Sequence, residues 1–147
     1  MTVAKENEAQ TEIIETVKAQ KTITIQNLLR YTSWLSYGLF SKQPAFRKTY
    51  STAQISTSGV SSEEFVDNLA KLPLKGEPGK VWEYSYSTDV LDRIVEVISG
   101  QRLGEFLKEN IFDPLGMGNT GFFMHKAKID RVARYYDSFT KSIQPIY

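Results

Sequence analysis

The sequence contains no cysteine and only one histidine, His125. A chain without cysteine forms no disulfide, no thiolate metal site and no cysteine nucleophile, and one histidine cannot build a metal site by itself. We therefore expect no metal and no other cofactor. Any covalent chemistry in which the chain takes part has to come from hydroxyl groups.

Long apolar runs and an excess of charge of one sign are also missing. No stretch approaches the ~20 apolar residues of a membrane span, and the polar first residues lack the apolar run of a secretory signal. Lys and Arg total 18 against 17 Asp and Glu, so the net charge of +1 gives no basic field for nucleic acid. The sequence predicts a soluble, cytoplasmic protein that spans no membrane and binds no nucleic acid.

The 147 residues, of which 41% are hydrophobic, suffice for one domain with a modest core. A weak helical stripe over residues 8–20, carried by Ile13 and Val17, is too narrow to anchor a core. We predict that residues 1–20 form a loosely ordered N-terminal arm and that residues 21–147 form the domain.

Capping residues mark the predicted helix boundaries. Thr24 suits the N-cap of a short helix, and Ser61 opens a capping box. Ser87 or Thr88 should cap the helix with the clearest apolar stripe. Gly100 stands where that helix should end in a left-handed residue.

The remaining segments contain little strand. Residues 41–60 are rich in Ser and Thr without a sustained period, which is typical of a long loop with one helical turn. The segment "VWEYSY", residues 81–86, is short, aromatic and extended, and another helical stripe runs from Leu103 to Ile111. The pattern predicts a mainly α chain with little strand, too little to form a sheet of its own.

Three stretches carry a resemblance to a known family: "PGKVWEYSYSTDVLDRIVEVISGQRLGEFLKENIFDPLGMGNTGF" (78–122), "ITIQNLLRYTSWLSYG" (23–38) and "DRVARYYD" (130–137). They resemble the beta-lactamase-related serine hydrolases, which include class C beta-lactamases, penicillin-binding-protein-like carboxylesterases and D-amino-acid peptidases. The likeness follows the family's order over residues 21–137 and is greatest to the esterase branch. Residues 21–147 are therefore expected to be a partial domain of this family.

The resemblance implies the helical-lobe portion of the α+β beta-lactamase/transpeptidase-like fold, lacking most of the antiparallel sheet. Family sites combine three motifs. They are an SxxK pair whose serine is acylated and whose lysine helps deprotonate it, a proton-shuttle tyrosine, and a Lys-Thr-Gly or His-x-Gly sequence on the edge strand. Only the tyrosine motif stands in its place here.

By this resemblance the proton-shuttle tyrosine is Tyr84, and Ser85 is its neighbour in the catalytic loop. Tyr86 stands where class C beta-lactamases have asparagine, which favours an ester over a beta-lactam as substrate. Tyr31 and Trp34 stand where the family has His and Gly. A change of Gly to Trp can break a tight turn as well as overfill a contact.

One SxxK spacing does occur, in "SFTK" from Ser138 to Lys141. A relocated nucleophile and base is one interpretation, because this spacing places both side chains on one face of a helical turn. A polar turn is the favoured interpretation, since no apolar stripe accompanies the motif. "KTI" at Lys21–Ile23 is interpreted as the run into the first helix, and His125 as a surface residue.

Two functions stay open. In the first, the chain is a fragment of a beta-lactamase-like serine hydrolase, inactive alone because the SxxK and Lys/His-x-Gly motifs are missing. It would then act on a small ester or amide only if a partner chain, docked on an exposed apolar face, supplied them; self-association would use the same face. In the second, the chain is a non-catalytic helical binding or scaffold module. Its contact patch would consist of Trp82, Tyr84, Tyr86, Phe122 and Phe123.

Overall fold

A computed structural model describes residues 1–38, 41–53, 55 and 59–133, together with the backbone of residues 135–137 and 142–144. The SxxK spacing from Ser138 to Lys141 lies outside the described residues. The elements are, in chain order, β1 (Thr2–Glu6), β2 (Ile13–Lys18), α1 (Ile25–Leu29), α2 (Pro44–Thr52), α3 (Ser62–Ala70), α4 (Ser87–Ser99), α5 (Leu103–Leu107), a π-helical turn (Lys108–Phe112), a 3-10 helix (Lys126–Arg131), β3 (Tyr135–Asp137) and β4 (Ser142–Gln144). The chain is mainly helical, as predicted.

Two compact units make up the chain, Met1–Leu103 and Gly104–Tyr147. The first contains the β1–β2 hairpin and helices α1 to α4. The second contains most of α5, the π-helical and 3-10 turns, and an antiparallel β3–β4 pair. Within the described residues, every helix is too short or too polar to cross a bilayer. The predicted boundary after residue 20 stays a prediction.

The N-terminal residues form an antiparallel hairpin, so the helical stripe predicted over residues 8–20 is wrong. Strand β1 pairs with β2 in a register that sets Val3 opposite Val17. Ile13 and Val17 are four residues apart, which puts them on one face of a helix and equally on one face of a strand. β-Branched residues dominate the segment, and such residues favour the strand.

Leu74 joins this hairpin to the helices. Its backbone N–H donates to the Thr2 carbonyl at 2.8 Å, and its carbonyl accepts from the Ala4 N–H at 3.0 Å. The Leu74 side chain is fully buried. It belongs to a core that also contains Val3, Leu28, Leu35, Phe46, Tyr50, Phe65 and Leu69. The hairpin is thus part of the hydrophobic core of the first unit.

Helix α2 corrects the prediction of a long loop over residues 41–60. It begins with Pro44, whose fixed φ suits the first helical position, and it buries Ala45, Phe46 and Tyr50. Arg47, Lys48 and Thr49 separate Phe46 from Tyr50, which conceals the helical stripe in the sequence. Burial against the core stabilises a helix that its composition does not indicate.

The predicted caps of α1 and α3 are confirmed. The Thr24 hydroxyl accepts from the Asn27 N–H while the Asn27 side chain accepts from the Thr24 N–H, so α1 opens with a reciprocal capping box. The Ser61 hydroxyl accepts from the Glu64 N–H at the start of α3. These local hydrogen bonds satisfy N–H groups that have no partner inside a helix.

The N-cap of α4 is Tyr86 and not Ser87 or Thr88, which corrects the predicted start. Both hydroxyls are engaged elsewhere, Ser87 with two other serines and Thr88 with the Tyr31 phenol. The predicted end is confirmed, because Gly100 adopts a left-handed φ of 71° and its N–H donates to the Glu96 carbonyl. Helices α1 and α3 both pack against α4.

Alanine substitutions at Gly38 and Gly59 separate two costs, that of a left-handed φ and that of overpacking. Both have left-handed φ values, 69° and 76°, but a Cβ on Gly38 would lie 2.4 Å from the Tyr50 Cβ, whereas no atom of the described residues lies within 4 Å of a Cβ placed on Gly59. Gly59→Ala should cost about 1 kcal/mol of unfolding free energy, for the φ alone. Gly38→Ala should cost about 3 kcal/mol, because overpacking adds to the φ cost. Urea denaturation measures both, and equal losses would contradict the packing argument.

Candidate active site

The segment that carries Tyr84 is extended and alternates between solvent and interior. Trp82 and Tyr84 are exposed by 64% and 52%, whereas Ser85 is fully buried. The backbone N–H of Glu83 donates to the Tyr31 carbonyl at 2.8 Å, which ties the segment to the turn at residues 31–38. The phenol of Tyr84 is therefore presented at the surface from a backbone that is held inside.

The rings of Tyr31 and Tyr37 contact that of Tyr84, and Trp82 lies next to Tyr31. The Tyr31 ring stacks on that of Tyr84 with a centroid distance of 5.8 Å and an interplanar angle of 11°. The Tyr37 ring lies 5.2 Å away and tilted, and Trp82 lies 6.1 Å from Tyr31. Offset and tilted arrangements at these distances are favourable for aromatic pairs. These contacts hold the Tyr84 ring from the side of the 31–38 turn.

The 31–38 turn keeps left-handed backbone at two bulky residues. Tyr31 has φ 53° and Trp34 has φ 61°, the region in which glycine is normally favoured. Trp34 stands at the glycine position of the family pattern, and its indole lies against Gly76, where a Cβ would approach the ring to 2.9 Å. The turn is therefore not broken by the change of Gly to Trp, and Gly76 provides the space that the indole needs.

Ser85 faces the interior of the protein. Its hydroxyl is hydrogen bonded to the Ser87 hydroxyl at 2.9 Å, and Ser87 is bonded to Ser33 at 2.8 Å. All three serines are fully buried. In this conformation Ser85 has no access to a substrate, and its geometry fits a loop neighbour that supports Tyr84.

Tyr37 packs between Tyr84 and Tyr86. The Tyr37 phenol donates to the Asp89 carboxylate at 3.2 Å, and its ring lies 4.2 Å from that of Tyr86. Burial raises the pKa of Tyr37, and the negative charge of Asp89 raises it further. Burial likewise raises the pKa of Tyr86, whose ring packs edge-on against Phe65. Both phenols stay protonated at neutral pH.

A cavity of about 440 Å³ opens elsewhere in the first unit, lined by Gln10, Trp34, Lys42, Gln43, Lys75 and Glu83. The Lys75 side chain is only 8% exposed and pairs with Glu83 at 2.6 Å. One carboxylate oxygen of Glu6 is buried without a hydrogen-bond partner among the described residues. Burial raises the pKa of Glu6, and the charge of Lys75 opposes that rise. Lys75 thus acts in an internal ion pair.

His125 and the segment Lys21–Ile23 have the surroundings predicted from the sequence. His125 is exposed, as predicted, and belongs to the second unit. Lys21–Ile23 run into α1, as predicted, and the Lys21 N–H donates to the Glu77 carboxylate. In the described part of the chain no three His, Cys, Asp or Glu side chains gather in a way that could hold a metal ion.

The five residues of the predicted aromatic patch belong to two units. Trp82 and Tyr84 are exposed in the first unit, whereas Tyr86 packs inward. Phe122 and Phe123 are exposed by 57% and 96%, but they belong to the second unit. The first unit thus exposes two of the five aromatic residues, and the second unit exposes another two.

The model of the family described as Beta-lactamase matches residues 12–144 of this sequence. The chain belongs to the beta-lactamase family. It is 33% identical over 101 residues to a lovastatin esterase of Penicillium rubens, an alignment that covers 69% of this chain and 24% of that protein. It is 35% identical over 105 residues to the esterase EstB of Burkholderia gladioli, covering 68% of this chain and 26% of the esterase.

A solved structure extends the likeness to three dimensions. The structure of EstCE1, a hydrolase with promiscuous acyltransferase activity, superposes with a TM-score of 0.74 at 28% identity, covering 95% of this chain and 36% of that one. The beta-lactamase fold of the relative is thus the fold of this chain, present in part. The chain spans about a third or less of the relatives it matches.

Sequence reasoning singled out Tyr84 and Ser85 but missed the residues that hold them. Ser87 has the sequence signature of a helix cap, and Ser33 lies in a turn where serine is common. Tyr37 lies in the stretch 23–38 that carries the family resemblance, but its partner Asp89 is 52 residues away, so no local pattern indicates their contact. The partners Ser33 and Ser87 are 54 residues apart, so no local pattern indicates their contact.

Tyr37→Phe should lower the unfolding free energy at neutral pH by about 1 kcal/mol, because the Asp89 carboxylate loses a donor. A phenol whose folded pKa is raised contributes stability that is complete below its unfolded pKa, near ~10, and is lost as the pH rises through the folded pKa. The difference in unfolding free energy between the wild type and the variant should therefore become smaller above pH ~10. Urea denaturation at neutral and alkaline pH measures this difference.

Ser36→Ala is the control for this comparison. It removes a buried hydroxyl of the same turn, one that accepts from the Gly38 N–H and does not titrate. Ser36→Ala should lower the unfolding free energy by the same amount at neutral and at alkaline pH. A Tyr37→Phe difference that is equally constant would contradict the raised pKa.

Proposed function

We propose that this chain is the part of a serine ester hydrolase or acyltransferase that supplies the proton-transfer tyrosine, Tyr84. The observation that carries the proposal is an exposed phenol on a loop fixed by buried hydrogen bonds, at the family's tyrosine position. The family membership and the esterase relatives support ester chemistry. Tyr86 at the asparagine position favours an ester over a beta-lactam.

In the proposed reaction, the nucleophile serine comes from an SxxK motif at the position that the resemblance gives it, before residues 23–38, and not from the SxxK spacing at Ser138–Lys141 inside the matched region. As the serine oxygen attacks the ester carbonyl, its proton passes to the Tyr84 phenolate. Tyr84 then returns the proton to the departing alkoxide, which leaves an acyl-serine and a free alcohol. Water, or a second alcohol in the case of acyl transfer, repeats the steps in reverse roles and releases the acyl group.

The chain alone should have no turnover in this proposal. Acylation needs the nucleophile, its base and the oxyanion donors together, and the loss of one member removes most of the catalysis. The missing motifs would come from the rest of the domain or from a partner chain, docked beside the exposed Trp82 and Tyr84. The substrate class is a small ester, with amides as the less favoured alternative.

A chimera tests this role directly. Residues 12–144 replace the segment of EstCE1 on which this chain superposes, and hydrolysis of a short-chain nitrophenyl ester is followed by absorbance. Tyr84→Phe in the chimera should lower kcat by about 100-fold or more, because a positioned acid–base group contributes that much. Tyr50→Phe is the matched control. It removes a buried phenol that donates to the Pro73 carbonyl, and it should retain most of the turnover.

Two outcomes contradict the proposal. A folded chimera that is active and indifferent to Tyr84→Phe excludes Tyr84 from proton transfer, and a folded chimera without any turnover excludes the segment from this chemistry. Intact mass spectrometry of the 147-residue chain after incubation with the ester addresses the SFTK spacing. An acyl adduct that disappears in Ser138→Ala would move the nucleophile into this chain.

A further inference from the structure

We infer that Ser87 is a positioning residue for Tyr84, an inference that rests on the proposed proton transfer by Tyr84. The Ser87 hydroxyl joins those of Ser33 and Ser85 into one chain, with Oγ–Oγ distances of 2.8 and 2.9 Å. Ser85 directly follows Tyr84, and Ser33 lies in the turn that carries Tyr31 and the other rings. The three hydroxyls thus fix the tyrosine backbone against the turn.

Burial prevents water from replacing any of the three hydroxyls. All three serines have no exposed surface, so water has no access to replace a missing hydroxyl without a rearrangement. A hydroxyl can donate one hydrogen bond and accept others, which allows Ser87 to serve both neighbours at once. The Leu35 N–H donates to Ser33 at 3.3 Å and continues the chain into the turn backbone. Loss of the central hydroxyl leaves both neighbours without this partner, in a low-dielectric interior.

The position of the Tyr84 ring follows from this contact. Tyr31 and Tyr37, whose rings contact that of Tyr84, both belong to the 31–38 turn. Any slip between the turn and the tyrosine loop would therefore change both ring contacts together. Catalytic groups have to be held closely, since a displacement of about 1 Å can cost about 100-fold in rate. Ser87 thus acts on the reaction through the placement of the phenol.

Fluorine NMR of the fluorotyrosine-labelled chain tests the inference without any need for catalysis. The Tyr84 resonance is assigned by its loss in Tyr84→Phe. In Ser87→Ala this resonance should move by more than its linewidth, because the stacking on Tyr31 changes. Ser41→Ala is the matched control, since Ser41 is also buried and its hydroxyl accepts from the Gln43 N–H, a hydrogen bond outside the group formed by Ser33, Ser85 and Ser87. Both variants should lower Tm by about 2–8 °C, but only Ser87→Ala should move the resonance.

A Tyr84 resonance that stays in place in a folded Ser87→Ala variant overturns the inference, and Ser87 is then structural only. If Ser87→Ala does not fold, Ser85→Ala provides the same reading, because it removes only the end of the hydroxyl chain and should move the resonance in the same way. An unchanged resonance in Ser85→Ala would equally overturn the inference. Activity of the chimera is read separately, so failure of Ser87 as a positioning residue and failure of Tyr84 as a proton carrier give different results.

Discussion

The candidate site depends on one buried contact between two segments that are far apart in the sequence. The hydroxyls of Ser33 and Ser87 meet across 54 residues, and Ser85 adds a third. Each neutral hydrogen bond adds only about 1 kcal/mol net, but a buried hydroxyl left unpaired costs about 1–3 kcal/mol. The contact therefore adds little to the unfolding free energy, but it disfavours other positions of the Tyr84 loop in which these hydroxyls would be unpaired.

The turn that provides Ser33 has an unfavourable backbone at its centre. A left-handed conformation at a residue with a large side chain costs about 1–2 kcal/mol, and Trp34 has φ 61°. The indole offsets part of this cost, because the buried Lys75 ammonium lies 5.8 Å from its ring centroid. Such a cation–π contact contributes about 0.5–2 kcal/mol. Lys75 in turn needs Glu83, which directly precedes Tyr84 in the sequence. The substituted turn and the tyrosine loop are thus coupled through Lys75 as well as through the serines.

The sequence predicted those features that short-range chemistry decides. Thr24 and Ser61 cap their helices because the side chain reaches an N–H three residues on, and Gly100 ends α4 because its backbone tolerates the left-handed region. Tyr84 was found through the family pattern. The exposed phenol agrees with that placement, while its catalytic role stays a proposal.

Features that depend on distant partners were not predictable in this way. The spacing of Ile13 and Val17 fits a helix and a strand equally, and only pairing with β1 and docking on Leu74 decide between them. Helix α2 forms because Phe46 and Tyr50 find the core, which outweighs its Ser- and Thr-rich composition. Ser87 was interpreted as a cap because a cap is what a serine before an apolar stripe usually provides, whereas a tertiary partner takes up its hydroxyl here.

The proposed role of Tyr84 has an electrostatic requirement. A positive charge beside a phenol favours its ionised form, which is the form that accepts a proton in the proposed mechanism. In the proposed mechanism the cation arrives with the nucleophile motif itself. The tyrosine loop is already held by its serines, so little loop ordering remains to oppose that docking. The same docking would cover Trp82, whose exposure is 64% in this chain, and burial of its indole would favour the assembled site.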